Sequence, residues 1–236
     1  MKVNSTSDNK QLMKTFTTRQ LALATTDALL FWSDPRYDLP LLKPMQMEWF
    51  KWFISEWAIA RTVNTKTRRQ LLSYLNGPFR TALRDGAGSE YVTKASDWIA
   101  DRGWSQTHYS SGTKSSPLSL TSKIAFLIEP ARFSPLDRYS KRGLRIALGL
   151  RGAAGSFSRY EDYIASFDSL FAQSRKEIEE ECRAPWADQL ARRLACGKRK
   201  TPALALQRKV LDNLLMGIGG RSNIGQYEDL VDTSRH

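Results

Sequence analysis

The sequence predicts an all-α protein. Apolar residues recur at intervals of three and four residues over most of the 236-residue chain, as expected for amphipathic helices. No stretch shows the alternation of apolar and polar residues that is typical of a half-buried strand. Prolines, glycines and helix-capping residues separate the periodic segments. Together these observations predict about eight to ten helices.

The N-terminal half contains four predicted helices with long connections. Residues 1–16 are polar, and we expect a flexible tail there. The predicted helices cover residues 17–32, an aromatic-rich segment at 45–63, a segment at 65–83 kinked at Gly77-Pro78, and 91–101. A serine-rich loop at 103–117 follows and carries Trp104, His108 and Tyr109.

The C-terminal half contains five predicted helices. The predicted helices are residues 118–129, 138–150, 159–183, 185–196 and 201–217, with Pro185 as an N1 proline. A Gly/Ser linker occupies residues 152–158, and a basic cluster of Lys198, Arg199 and Lys200 precedes the last helix. We expect residues 17–236 to form a single helical domain, either one body or two closely packed lobes.

Composition narrows the choice of partner. The 36 Lys and Arg residues exceed the 24 Asp and Glu residues, which gives a formal charge of +12 spread along the chain. Such a surplus favours a polyanionic partner, nucleic acid above all. Two cysteines cannot form a disulfide framework or a four-cysteine zinc site, and only His108 and His236 offer imidazole ligands, so we expect no metal and no cofactor. Neither a signal peptide nor a membrane-spanning run is recognisable.

Two side chains stand out between residues 118 and 150. Lys123 follows Leu120 by three residues and precedes Leu127 by four, so it lies beside the apolar stripe of its helix. Asp137 occupies the N-cap position of the next helix. We expect the ammonium and the carboxylate to face each other across the turn that joins the two helices.

The helix after Asp137 also carries a basic stripe. Its cations fall at i, i+3, i+4 and i+7, namely Arg138, Lys141, Arg142 and Arg145. We expect Leu144, Ile146, Ala147, Leu148 and Leu150 to supply the buried side of this helix. A row of cations beside a carboxylate is suited to binding a phosphate backbone.

This arrangement resembles the helix-hairpin-helix superfamily of DNA glycosylases, particularly its 8-oxoguanine glycosylase-like branch. The resemblance covers residues 118–150, and the segment before Lys123 lacks the Gly-x-Gly turn of the family. It implies a two-lobed helical fold with the active-site cleft near 118–150. It also implies a monomer that acts on double-stranded DNA in the bacterial cytoplasm, in association with the nucleoid.

In that family the residue matching Lys123 attacks the sugar C1′, and the residue matching Asp137 assists. A lysine is nucleophilic only when neutral, so its ordinary pKa of about 10.4 must fall, which burial favours. A carboxylate stabilises the oxocarbenium character that develops when the glycosidic bond breaks. The target base must be flipped out of the duplex. Our candidates for stacking or wedging are Phe133, Trp104, His108 and Tyr109.

Two other functions remain open. Arg102 and His108 have a spacing similar to the Arg-x(4–6)-His motif of HEPN ribonucleases. Alternatively, the chain is a basic helical module that binds DNA through charge and has no activity. Within the glycosylase hypothesis the sequence leaves the substrate open. A damaged base in repair and a hypermodified phage base, such as a glucosylated cytosine in antiviral defence, are equally compatible with it.

Overall fold

A computed structural model of the chain describes residues 16–38, 43–57, 59, 62–105, 117–150, 157–194 and 202–220. Over these residues the fold is all-α, as predicted. The only strand-like pairing among them is an isolated antiparallel bridge between Val63 and Ser105. No helix in the described ranges combines the length and the apolar character needed to cross a bilayer.

Ten α-helical segments follow one another along the described chain. They are α1 (Thr18–Ser33), α2 (Met47–Glu56), α3 (Arg68–Tyr74), α4 (Arg80–Arg84), α5 (Ser89–Asp101), α6 (Leu118–Ile128), α7 (Arg138–Ala147), α8 (Tyr160–Cys182), α9 (Pro185–Arg193) and α10 (Ala203–Ile218). Short 3₁₀ turns lie at Pro35–Asp38 and Thr65–Thr67. A π-helical segment, Leu75–Phe79, joins α3 to α4 and contains Pro78, where the sequence predicts a kink.

Local signals mark the starts of several helices. Thr17 forms a capping box with Gln20 at the start of α1, and Pro185 occupies the first turn of α9. The aromatic-rich helix is shorter than predicted, because α2 ends at Glu56. Beyond that residue the Ile59 amide donates to the carbonyl of Ile54, five residues back, so the regular i to i−4 pattern does not continue.

The described residues form two compact units. The first contains those of Met1–Asp34, Asp137–Phe157 and Ala165–His236, and the second contains those of Pro35–Leu136 and Ser158–Ile164. In the first unit, α10 packs against both α7 and α1. The α7–α10 crossing is tight, since a Cβ on Gly143 would lie 1.8 Å from the Leu215 carbonyl oxygen. Only glycine allows the two backbones to approach so closely.

The second unit is built around α6. Ten of its eleven residues are buried, including Thr121 and Ser122, so α6 is enclosed on all sides and does not present the single apolar stripe predicted. Helices α4 and α5 both pack against it. A buried loop, Phe133 to Leu136, follows α6 and leads to Asp137.

Candidate active site

Asp137 caps α7 as predicted. Its Oδ1 atom accepts hydrogen bonds from the backbone amides of Tyr139 at 2.7 Å and Ser140 at 2.9 Å. The residue itself has extended backbone geometry, which is the usual conformation of an N-cap. Two amide donors and the positive end of the helix dipole favour a carboxylate at this position. The Asp137 side chain is half-buried, so its charge remains accessible to a ligand.

The cations of α7 form the surface that we call the α7 basic face, consisting of Arg138, Lys141, Arg142 and Arg145. Arg138 and Arg142 are exposed, and the other two are half-buried. Burial, reinforced by the charge of Arg145, lowers the pKa of Lys141. None of the four forms an ion pair with a carboxylate in the part of the chain that the structure describes. The positive charge of this face is therefore not compensated by ion pairs within the described residues.

The buried side of α7, opposite the basic face, is narrower than predicted. Ser140, Gly143, Leu144 and Ala147 are buried, whereas Ile146 is 51% exposed. Ile146 is turned about 100° round the helix from Ala147, which takes it off the strip that meets α10. The prediction that Ile146 is buried is therefore wrong, and an apolar side chain borders the basic face instead.

A buried polar cluster lies where α7 meets α10. Asp212 is 1% exposed, and its two carboxylate oxygens accept from different donors: Oδ1 from the Ser140 hydroxyl at 2.8 Å and Oδ2 from Lys209 Nζ at 2.7 Å. Lys209 is 5% exposed, and its ammonium also lies 5.1 Å from the centre of the Phe31 ring. Burial raises the pKa of Asp212, and the nearby charge of Asp137 raises it further, against the effect of Lys209.

Lys123 is buried in the second unit, with 6% of its surface exposed. Its ammonium donates to the Trp57 carbonyl at 3.3 Å and lies 5.3 Å from the centre of a Trp57 ring. Burial agrees with the position predicted beside the apolar stripe. Lys123 belongs to the second unit and Asp137 to the first. The approach of the two side chains stays a prediction.

The loop between α6 and Asp137 is fixed by several side chains. Arg132 donates to the carbonyls of Leu83, Gly86 and Ala87 at the end of α4. Tyr160 binds both backbone groups of Ser134, donating to the carbonyl at 2.6 Å and accepting from the amide at 3.0 Å. Two further hydrogen bonds run from Tyr163 Oη to the Pro135 carbonyl and from the Leu136 amide to Ser122 Oγ. These hydrogen bonds fix the backbone of the loop within the second unit.

The residues predicted to contact the flipped base lie in different environments. Phe133 is 2% exposed and packs 6.3 Å from Tyr160, so its ring belongs to the core and does not form an exposed wedge. Trp104 is half-buried and makes an edge contact with Trp98 at 5.1 Å. The guanidinium of Arg102 lies 4.2 Å from the centre of the Trp98 ring. The other predicted site residues, His108, Tyr109, Lys198, Arg199 and Lys200, lie outside the described residues.

A pocket of ≈ 200 Å³ in the first unit is apolar. Phe16, Leu23, Leu214 and Ile218 contribute to its lining, and none of its lining residues is charged. Phe16, which we placed in the tail, is therefore part of the folded structure. Among the described residues no three His, Cys, Asp or Glu side chains come together as a metal site.

Neither the Lys209–Asp212 pair nor the hydrogen bonds that fix the loop between α6 and Asp137 were predicted from the sequence. Lys209 and Asp212 are three residues apart in a helix, a spacing that usually means an exposed ion pair. The single glycine of α7, Gly143, was the sequence signal for the close approach of a second backbone. Comparison with protein-family models, with curated proteins and with solved structures gives no match.

Proposed function

We propose that the protein is a DNA glycosylase with a helix-hairpin-helix type fold, which flips a damaged or modified base out of DNA and excises it. One observation carries the proposal. A single helix, α7, begins with an amide-held, half-buried carboxylate and continues with four cations that have no acidic partner among the described residues. The start of α7 thus carries both the carboxylate that stabilises a cationic transition state and the first of the cations that bind the phosphates.

The proposed role of Asp137 is electrostatic. As the bond between the sugar C1′ and the base breaks, the bonding electrons leave with the base and positive charge develops on the sugar. The carboxylate stabilises that charge, and it orients or deprotonates the water that attacks C1′. Because both amide bonds of Asp137 go to Oδ1, the carboxylate is held in one orientation.

Lys123 extends the proposal to a bifunctional enzyme. A neutral Lys123 amine attacks C1′, the base departs with a proton, and the C1′ adduct becomes an imine on opening of the sugar. Loss of a proton from C2′ then expels the 3′ phosphate by β-elimination. If Lys123 does not attack, water takes its place and the product is an intact abasic site. The substrate classes that we propose are damaged bases and hypermodified phage bases.

The experiment measures base release under single-turnover conditions from duplexes that carry oxidised, alkylated or phage-modified bases. Asp137→Asn keeps an efficient N-cap and removes the charge, so we expect the fold to persist while the rate falls at least about 100-fold. Asp188→Asn, which removes an exposed carboxylate paired with Arg192, is the matched control and is expected to keep the rate. A wild-type rate in Asp137→Asn contradicts the mechanism.

Borohydride trapping separates the two versions of the chemistry. If Lys123 is the nucleophile, the wild type gives a covalent protein–DNA adduct and Lys123→Ala gives none, while DNA binding is retained. Base release without any trapped adduct identifies a monofunctional enzyme. DNA binding with no base release from any substrate in the series identifies a binding module without activity.

A further inference from the structure

The carboxylate of Asp137 is connected through Ser140 to the interior of the first unit. The Ser140 amide donates to Asp137 Oδ1 at 2.9 Å, and the Ser140 hydroxyl donates to Asp212 Oδ1 at 2.8 Å. Lys209 completes the series with its hydrogen bond to Asp212 Oδ2. A half-buried carboxylate is therefore linked to a buried ion pair through one serine.

We propose that Ser140, Asp212 and Lys209 are positioning residues for Asp137, which hold its carboxylate in place and couple it to a buried ion pair. This inference rests on the proposed function, in which Asp137 is the catalytic carboxylate. It adds a role for three residues that touch neither the DNA nor the reacting atoms.

Geometry supports the orienting part of this role. Ser140 is fully buried, and α7 meets α10 so closely that no side chain fits at Gly143 or Gly219. The Asp212 bond fixes the first turn of α7 against α10 at the same crossing. The amide that holds Asp137 is consequently tied to a helix other than its own.

Charge supports the second part. Among the described residues of the first unit, Arg138 and Lys141 share α7 with Asp137, and the pair Asp212 and Lys209 reaches the first turn of that helix from α10. Asp212 is close enough to Asp137 for the charge of Asp137 to raise the pKa of Asp212. Removing only the Asp212 charge leaves the Lys209 ammonium uncompensated in a buried position, where charges are weakly screened. An uncompensated positive charge stabilises a nearby carboxylate.

The test compares pH profiles of single-turnover base release in three variants. In Asp212→Asn the acid limb is expected to move to lower pH by about one unit, because a nearby opposite charge shifts a carboxyl pKa by about that much or more. In Lys209→Met/Asp212→Asn, where both charges are absent, the limb is expected to return to the wild-type position. Asp168→Asn is the control, since it removes a carboxylate that binds Arg208, a different cation of α10.

A purely structural role predicts a different pattern, in which thermal stability falls while the acid limb stays in place. An unmoved limb in Asp212→Asn therefore overturns the proposal, as does a limb that moves equally in Asp168→Asn. If Asp212→Asn does not fold, Ser140→Ala supplies the comparison. Ser140→Ala keeps the amide bond to Asp137 and loses the link to Asp212, so we expect kcat to fall at least about threefold with KM unchanged. Wild-type kcat in a folded Ser140→Ala overturns the orienting role.

A second readout does not depend on activity. The pKa of Asp137 is measured from carboxyl ¹³C shifts in aspartate-labelled protein, and Asp137→Asn identifies the signal. A lower Asp137 pKa in Asp212→Asn together with no base release supports the network and rejects the proposed function. Base release with an Asp137 pKa that does not move supports the function and rejects the network.

Discussion

Neutralising the α7 basic face is expected to reduce the salt dependence of DNA binding. The perturbation is the triple variant Arg138→Gln, Arg142→Gln and Arg145→Gln. Each phosphate contact contributes about 0.9 to the slope of log affinity against log salt, so losing three contacts lowers the slope by about 2.7. Over a fourfold change in salt, from about 50 to 200 mM, the wild type should then lose roughly 40-fold more affinity than the variant.

The assay is fluorescence anisotropy with a labelled duplex at a series of salt concentrations. The matched control removes the same charge from three exposed helical cations that each have a carboxylate partner four residues away: Lys176→Gln, Arg183→Gln and Arg192→Gln. We expect this control to leave the slope nearly unchanged, because its cations are already compensated.

Two results would refute the reasoning. If both triple variants lower the slope equally, net charge governs binding and α7 has no special part in it. If neither variant lowers the slope, DNA contacts a different surface. A variant that loses affinity equally at every salt concentration has lost packing or shape rather than phosphate contacts, and unfolding curves identify that case.

Three further predictions concern the fold. Gly143→Ala places a methyl group against a backbone carbonyl of α10 and should lower the free energy of unfolding in urea by about 2 kcal/mol or more, whereas Gly77→Ala, which meets open space, should lower it not at all. Tyr160→Phe removes the hydroxyl that binds the amide and the carbonyl of Ser134, and it should lower the free energy of unfolding by about 1–3 kcal/mol in the same assay. An unchanged unfolding midpoint would show that these hydrogen bonds do not stabilise the loop. Burial, with a smaller effect from Glu181, raises the pKa of Cys182 to about 12. In a variant without Cys196, alkylation of Cys182 at pH 8 should therefore be slow until the protein unfolds. The free energy of unfolding should fall as the pH rises above about 9, because the unfolded thiol then loses its proton while the folded one keeps it. Rapid alkylation of the folded variant would contradict this.

Helix boundaries were predictable where a local signal marks them. Asp137 and Pro185 act within one turn of their own helices, and the structure uses both as the sequence indicates. The end of the aromatic-rich helix has no such signal. Its apolar residues continue past Glu56, because the following turn is buried as well: Ile59 and Val63 lie in the core. Periodicity therefore predicts burial there and not helix length.

The site was predictable in part, for a related reason. Asp137 and the α7 basic face follow from spacing along a single helix, and so does the position of Lys123 beside apolar residues. Lys209 and Asp212 looked like surface charges, because the sequence does not show that α10 is buried on nearly every side. The exposure of Ile146 depends on how narrow a strip of α7 meets α10, which is a property of the crossing. Contacts between distant segments leave no mark on a local pattern.

The start of α7 combines two constraints that mutagenesis must separate. Asp137 both caps the helix and supplies the charge, so Asp137→Ala removes stabilisation and electrostatics together. Asparagine retains the cap, and Asp212→Asn changes the electrostatics while leaving Asp137 itself in place. A loss of base release in the first variant and a displaced acid limb in the second cannot both result from a weakened helix. Together the two changes distinguish a carboxylate that acts through its charge from one that only begins a helix.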